Sequence, residues 1–332
     1  MTANPPLPDQ FPHGGGIEQA ARHWRCNARD ILDLSTGLHP AGAPDWLGDW
    51  LRDHADLAAH YPDHKGEPAR SALAEALGVT SDSVLITAGA QATIETIFPA
   101  MGWRAMAIQT PCYNEPIRCA LRSGCKVHSF AEETIPPEAE VLWLTSPDNP
   151  TGALHPLPSP MRHCVLDESY LPFNQRRALG MIPQLIRIGS LTKTFCIPGL
   201  RLGYVVAEPS VINRLRQFSP PWPAATCTLH LLPKLLPEAD QRDRQIVRDR
   251  QRLQALLRGY SWKVRPSQAS FLLARPTQKT PDFAAHRILI RAFPEWPQLA
   301  EWLRFGLPGT GSAWQRLEQA LASQNSLGED HG

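Results

Sequence analysis

Between residues 84 and 207, short apolar runs alternate with stretches of helical period. The runs are VLIT (84–87), MAIQ (106–109), KVHSF (126–130), EVLWLT (140–145), CVLD (164–167), IRIG (186–189) and GYVVA (203–207). Most are apolar throughout, the pattern of strands covered on both faces. Between them, 91–101 and 114–123 read as helices. This rhythm predicts an α/β fold with a mostly parallel central sheet flanked by helices. After about residue 218 the pattern changes. PEADQRDRQIVRDRQRLQALLRGY (237–260) predicts one long charged helix, acidic near its start and basic near its end as the helix dipole favours. WKVRP, SFLLAR, ILIRAF and WLRFGLP follow, alternating with shorter helical stretches, and predict a smaller α+β domain. Residues 1–45 fit neither pattern. The expected division is an N-terminal arm (1–45) that contributes to the small domain and the site, a large domain (46–218) and a small domain (219–332).

Composition narrows the partners. A chain of 332 residues has room for two cores. A formal net charge of +1 gives no electrostatic argument for nucleic acid or an anionic membrane. The longest apolar runs, such as VLWL and LHLL, fall far short of a membrane span. The polar, proline-rich start MTANPPLPDQFPHGG has no basic segment followed by an apolar core, so the expected location is cytoplasmic. The seven cysteines, at 26, 112, 119, 125, 164, 196 and 227, include no CxxC pair. They read as small buried hydrophobes, not as a metal site or a disulfide framework.

Ligands of an open parallel sheet bind beyond the carboxyl ends of its strands. The segments that follow the strands here are AGAQ, TPCYNEP, SPDNPTG, DESY and SLTKTF. Gly89, Ala90 and Gln91 open a helix with exposed N–H groups, an anion site in waiting. Asp167 closes an apolar strand, where a carboxylate needs a partner. Lys193, one of six lysines against twenty-seven arginines, stands between Ser190 and Arg201 in IGSLTKTFCIPGLRLGY (188–204). Singly these features suit turns, a buried ion pair and a surface lysine. Jointly they supply what one cofactor needs: a phosphate cradle, an amine for an aldehyde and a carboxylate for a protonated ring nitrogen. That cofactor is pyridoxal 5′-phosphate (PLP).

The set AGAQ, Tyr113, NPTG, DESY, SLTK and Arg201, in that order over about residues 60–210, resembles the fold-type I, class I/II aminotransferase-like enzymes. The resemblance implies that Lys193 condenses with the PLP aldehyde, Asp167 pairs with the ring nitrogen and Tyr113 stacks on the ring. Asn149 and Tyr170 would bond the phenolic oxygen. Gly89, Ala90, Gln91, Ser190, Thr192 and Arg201 would hold the phosphate. YPDHKGEPARSALAEALG (61–78) resembles the segment whose tyrosine, here Tyr61, reaches the phosphate of a neighbouring subunit, which implies a homodimer with shared active sites.

Two further segments bear on the reaction. FPHGGGIEQAARHW and DILDLSTGLHP resemble the start of the L-threonine-O-3-phosphate decarboxylases of cobalamin biosynthesis, apart from His39, where that family usually has Asn. His13, Gly14, Gly15, Ser35, Thr36 and Gly37, with Asn149, would then line the substrate. LRFGLPG resembles the family's small-domain arginine motif, so Arg304 would meet a substrate carboxylate or phosphate. The implied activity is PLP-dependent decarboxylation of L-threonine O-3-phosphate, with histidinol-phosphate aminotransferase as the nearest rival. HGGG also resembles the oxyanion motif of lipases, but no serine has the G-x-S-x-G flanks of a hydrolase nucleophile.

Overall fold

Each apolar run in the middle of the chain becomes a strand, with bounds moved by a residue or so. The structure, a computed structural model, describes residues 13–130, 135–159 and 163–326. The first twelve residues of the expected arm, including the Phe-Pro before His13, lie outside the described residues. The chain forms two compact units. One comprises Ala43–Asn149 and Ala153–Asp243; the other comprises the chain up to Gly42, Pro150–Gly152 and the chain from Arg244.

The first strand, β1 (Leu32–Asp33), belongs to the smaller unit. The larger unit holds β2 (Val84–Thr87), β3 (Ala105–Gln109), β4 (Lys126–Phe130), β5 (Val141–Thr145), β6 (Cys164–Asp167), β7 (Leu185–Ser190) and β8 (Gly203–Val206). These form one sheet in the order β2-β8-β7-β6-β5-β3-β4. Pairing is parallel from β4 through β3, β5 and β6 to β7, and β8 runs antiparallel to both of its neighbours. The mostly parallel sheet is therefore as expected, with one reversed strand. β6, β7 and β8 are buried at every position, whereas the edge strand β4 is exposed at Lys126 and Ser129 and half-buried elsewhere, as its mixed sequence KVHSF requires. The reversal of β8 matters most for function. It brings the start of β8 to the edge where β2 and β7 end, and Gly203 pairs with both Thr87 and Ser190.

In the smaller unit, β9 (Lys263–Val264), β10 (Phe271–Arg275), β12 (Arg291–Ala292) and β13 (Leu303–Gly306) form an antiparallel sheet in the order β12-β13-β10-β9. β11 (Ile288–Leu289) pairs in parallel with β1, so part of the arm is a strand of this unit. Leu34 from the arm also joins Trp262, Phe305 and Leu317 in its core. Residues 219–243, assigned to the small domain from sequence, fall in the larger unit. The reason is packing: helix Thr226–Leu235 buries Leu229, Leu231, Leu232 and Leu235 in the core that also holds Leu73, Ile86 and Tyr204. The long charged helix runs over Ala239–Gly259, and the chain leaves the larger unit within it.

All seven cysteines are free. Burial pushes the Cys125 thiol up to about 11 and the Cys164 thiol up to about 12, which keeps both protonated and unreactive. No described helix is long and apolar enough to cross a membrane.

Candidate active site

Glycine geometry builds one end of the candidate site. Helix Ala90–Met101 starts directly after Gly89, whose φ of 81° suits glycine and few other residues. The first-turn N–H groups of such a helix have no intrahelical acceptor and favour an anion. A Cβ added to Gly203 would lie 2.5 Å from the carbonyl carbon of Gly89 and 2.6 Å from the nitrogen of Ala90. Only glycine at 203 lets the start of the helix come this close to β8. A Cβ on Gly89 would lie 2.8 Å from Nη2 of Arg201, so the guanidinium rests on the same turn. Arg201 is exposed and also donates from Nη1 to the Pro198 carbonyl at 3.1 Å. The Ser190 and Thr192 hydroxyls, both buried, lie 2.6 Å apart. Backbone pairing through Gly203 thus gathers Ala90, Ser190 and Arg201 from three separate segments.

Buried charge builds the other end. Asp167, 7% exposed, ends β6 and accepts the Ser169 N–H at 3.0 Å. Burial pushes its carboxyl above the usual carboxylate range, against the opposing hydrogen bonds from Ser169. No cation among the described residues forms an ion pair with it. Lys193 stands in the short helix Leu191–Phe195 after β7, half-buried, with Nζ 5.8 Å from the centroid of the Tyr170 ring. Tyr113 follows β3, and burial first, then the nearby Glu115, Asp167 and Tyr170, push its hydroxyl up. Asn149 is half-buried in the loop after β5.

Gln91 is the residue whose surroundings the sequence least foretold. Its Nε2 donates to Glu115 at 2.9 Å and to Glu95 at 3.2 Å, and its Oε1 accepts the Tyr113 hydroxyl at 3.2 Å. The two carboxylates fix the direction of the amide, so its oxygen is aimed at Tyr113. The side chain of Gln91 is thereby committed to Tyr113 and the two carboxylates.

The remaining candidates lie in the smaller unit. Gly15 N–H donates to the Ser35 hydroxyl at 2.8 Å, and that hydroxyl donates to Asp33 at 2.6 Å. Arg304 on β13 donates from Nη2 to the Ser35 carbonyl at 2.6 Å, with its guanidinium 4.9 Å from the Phe271 ring centroid. Gly37 accepts the Ser270 hydroxyl at 2.7 Å. Thr36 is half-buried, Gly14 likewise, and His13 is exposed. The HGG and STG segments, read separately in the sequence, thus meet at Ser35. Arg291 was not singled out from sequence. It pairs directly across from Arg304 on β12 and forms an ion pair with the buried Glu295. The arginine inside the otherwise apolar ILIRAF is the signal that marks it. In the larger unit, Tyr61 is 79% exposed and stacks on Trp222 with centroids 4.5 Å apart.

Comparison with known proteins decides the family. The aminotransferase class I and II family matches residues 29–315. The chain belongs to that family. The threonine-phosphate decarboxylase of Salmonella typhimurium is 28% identical, over 94% of this chain and 93% of the relative. The histidinol-phosphate aminotransferase of Gluconacetobacter diazotrophicus is 27% identical, over 89% and 91%. The histidinol-phosphate aminotransferase structure from Sinorhizobium meliloti, solved in complex with PLP, superposes with a TM-score of 0.80 at 19% identity, covering 94% of this chain and 95% of that one.

The residues of this class I/II chain fit PLP. The carboxylate of Asp167 is buried at a cost that a protonated ring nitrogen would offset. The helix start at Gly89, with Arg201 against it, suits the phosphate. Lys193, with Nζ 5.8 Å from the centroid of the Tyr170 ring, supplies an amine.

Proposed function

We propose that this enzyme decarboxylates L-threonine O-3-phosphate, giving (R)-1-amino-2-propanol O-2-phosphate and CO₂. The observation that carries this reading is the assembly around Ser35: the Gly15 N–H on its hydroxyl and Arg304 on its carbonyl, in the segment that resembles the decarboxylases. Similarity to the Salmonella enzyme over nearly the full chain supports it. When bound, PLP supplies an aldehyde for the substrate amine and a ring that accepts the electron pair left at Cα as CO₂ departs. The protein's residues do the rest. Asp167 holds the proton on the ring nitrogen. Tyr113, oriented by Gln91, covers the ring face, and Asn149 and Tyr170 bond the phenolic oxygen. Arg201, Ser190, Thr192 and the first-turn N–H groups hold the cofactor phosphate. Arg304 binds one substrate anion, and the exposed N–H groups around Gly14 and Gly15 offer a place for the other. The Lys193 amine would give a proton to Cα, so each turnover consumes one proton and frees one CO₂. The reading includes a homodimer in which the exposed Tyr61 reaches the partner's cofactor phosphate.

A second reading is histidinol-phosphate aminotransferase, favoured by the nearly equal identity of the Gluconacetobacter relative. A paired assay separates them. PLP-loaded protein receives L-threonine O-3-phosphate in one tube and histidinol phosphate with 2-oxoglutarate in the other. CO₂ in the first alone supports decarboxylation. Glutamate in the second alone rejects it and assigns transamination.

A further inference from the structure

Behind Asp167 and Lys193 lies a cluster of charge that the proposed chemistry does not use. Glu168, Arg176, Arg187 and Tyr204 are each no more than 2% exposed. Arg187, inside β7, grips Glu168 with two hydrogen bonds, Nε to Oε2 at 2.9 Å and Nη2 to Oε1 at 3.0 Å. The Tyr204 hydroxyl on β8 donates to the same Oε1 at 2.6 Å. It reaches across β7 because residue 189 is glycine: a Cβ there would lie 2.1 Å from the tyrosine ring. Arg187 also donates from Nη2 to the Arg176 carbonyl at 2.6 Å, and Arg176 donates from Nη1 to the Tyr204 hydroxyl at 3.5 Å. These four residues, from β7, β8, helix Phe173–Leu179 and the turn directly after β6, form one network. Ionic burial of this kind is rarely the most stabilising way to fill a core.

The contacts of Arg176 show where the network acts. Its Nε donates to the Leu171 carbonyl at 2.7 Å and its Nη2 to the Ser169 carbonyl at 3.0 Å. Nη2 also donates to the Thr194 hydroxyl at 3.3 Å. Ser169 is the residue whose N–H holds Asp167, and Thr194 is the neighbour of Lys193. One guanidinium therefore touches the turn that carries the carboxylate and the helix that carries the amine. We propose that Arg176 is a positioning residue: clamped by Glu168, Arg187 and Tyr204, it ties the Asp167–Tyr170 turn to the Lys193 helix and sets the field at the lysine nitrogen. Two more charges border these two helices. Arg242 donates to the Thr194 carbonyl of the lysine helix at 3.5 Å, and Asp243 accepts the Phe173 N–H of the helix that carries Arg176 at 2.5 Å. Tyr113 and Tyr170 lie on the cofactor side, and the variants below leave all four unchanged.

The inference rests on Lys193 being the amine that binds PLP, and the test checks that separately. PLP is added to apoprotein and its visible absorbance is titrated with pH. The midpoint reports the proton on the lysine nitrogen, with no substrate present. Removing positive charge with Arg176→Gln should raise the midpoint by about half a pH unit, and removing negative charge with Glu168→Gln should lower it by about as much. Arg176→Lys, which keeps the charge, should return it to the wild-type value. Both charge-removing variants lose stability in the same direction, so opposite shifts of the midpoint cannot come from weakened folding alone. An unchanged midpoint in folded Arg176→Gln overturns the proposal. If that variant does not fold, Thr194→Val carries the test, because it cuts only the tie to the lysine helix. PLP should then leave several-fold faster on dilution, and an unchanged release rate overturns the proposal. If wild-type protein forms no pH-dependent visible band, the assignment of Lys193 itself fails.

Discussion

The two ends of the proposed cofactor site are built from opposite materials. At the phosphate end the work falls to backbone: Gly89 and Gly203 let a helix start meet a strand start, and the one charged side chain, Arg201, is exposed. At the ring end it falls to buried side chains: Asp167 with its raised carboxyl, and the Glu168–Arg187 pair beside it. Exposed charge costs little to hold and contributes little to the fold. Buried charge is costly when it lacks a counterion and strongly felt when altered. Substitutions at the phosphate end should therefore act through shape, and those at the ring end through charge.

The largest effect should come from Lys193→Ala. It removes the amine from the ring end and should lower CO₂ release from L-threonine O-3-phosphate by about a thousandfold or more. The phosphate end is untouched, so weak PLP binding should persist in equilibrium dialysis. Full turnover in this variant would remove Lys193 from the mechanism. Gly203→Ala, expected to lower both stability and cofactor binding, is the sharpest test of the phosphate end. The added Cβ would meet backbone atoms of Gly89 and Ala90, which no side-chain rotation can relieve. A loss of about 2 kcal/mol in urea unfolding is expected. PLP affinity should fall more than tenfold, because the helix start must retreat. If both stay at wild-type values, the close approach at Gly203 does not form the cradle.

This division also explains what could be read from sequence. The strands of the large sheet were legible because burial on both faces leaves them apolar, and a polar residue at such a strand's end stands out. Asp167 and Lys193 were singled out in this way. The glycine of AGAQ marked a helix start, but nothing in LGY announced the reversal of β8 that brings Gly203 against it. The network around Arg176 was not legible. QRRALG (175–180) reads as a surface helix, and nothing local distinguishes buried Arg176 from its exposed neighbour Arg177. Arg187 was the available clue, a charge inside IRIG that had to find a partner. The β1–β11 pairing joins residues more than 250 positions apart, and no local pattern announces it.

Asp167→Asn should separate the costs of the ring end from its use. Burial raises the Asp167 carboxyl in the folded apoprotein. Its favourable contribution is therefore fully present below the ordinary carboxylate value and is lost as pH rises through the raised folded value. Above the ordinary carboxylate value the folded apoprotein must either bury a charge or keep a proton that the unfolded chain releases, and both lower its stability. Asn keeps an oxygen for the Ser169 N–H and carries no charge. Apo Asp167→Asn should thus unfold at higher urea than apo wild type at neutral pH, with the difference vanishing in acid. PLP should bind the variant about a hundredfold more weakly, because the ring nitrogen loses its charged partner. A variant that is less stable as apoprotein at neutral pH would mean that Asp167 is held for the fold and not for the cofactor.

The smallest effect should come from Arg201→Lys. Arginine here does two things: its guanidinium lies against the Gly89 turn and also donates to the Pro198 carbonyl. Lysine keeps the charge but not the planar fork, so it can serve one of these partners at a time. The backbone N–H groups of helix Ala90–Met101 remain as the principal phosphate ligands. PLP affinity should weaken by about tenfold or less, which is about 1.4 kcal/mol at most, and thermal stability should hold. Raising salt should narrow the gap between wild type and variant, since an exposed charge is screened. Asp167→Asn should show no such salt response, because its carboxylate is buried. If Arg201→Lys instead costs as much as Asp167→Asn and ignores salt, the phosphate end is a buried electrostatic site, and the contrast between the two ends fails.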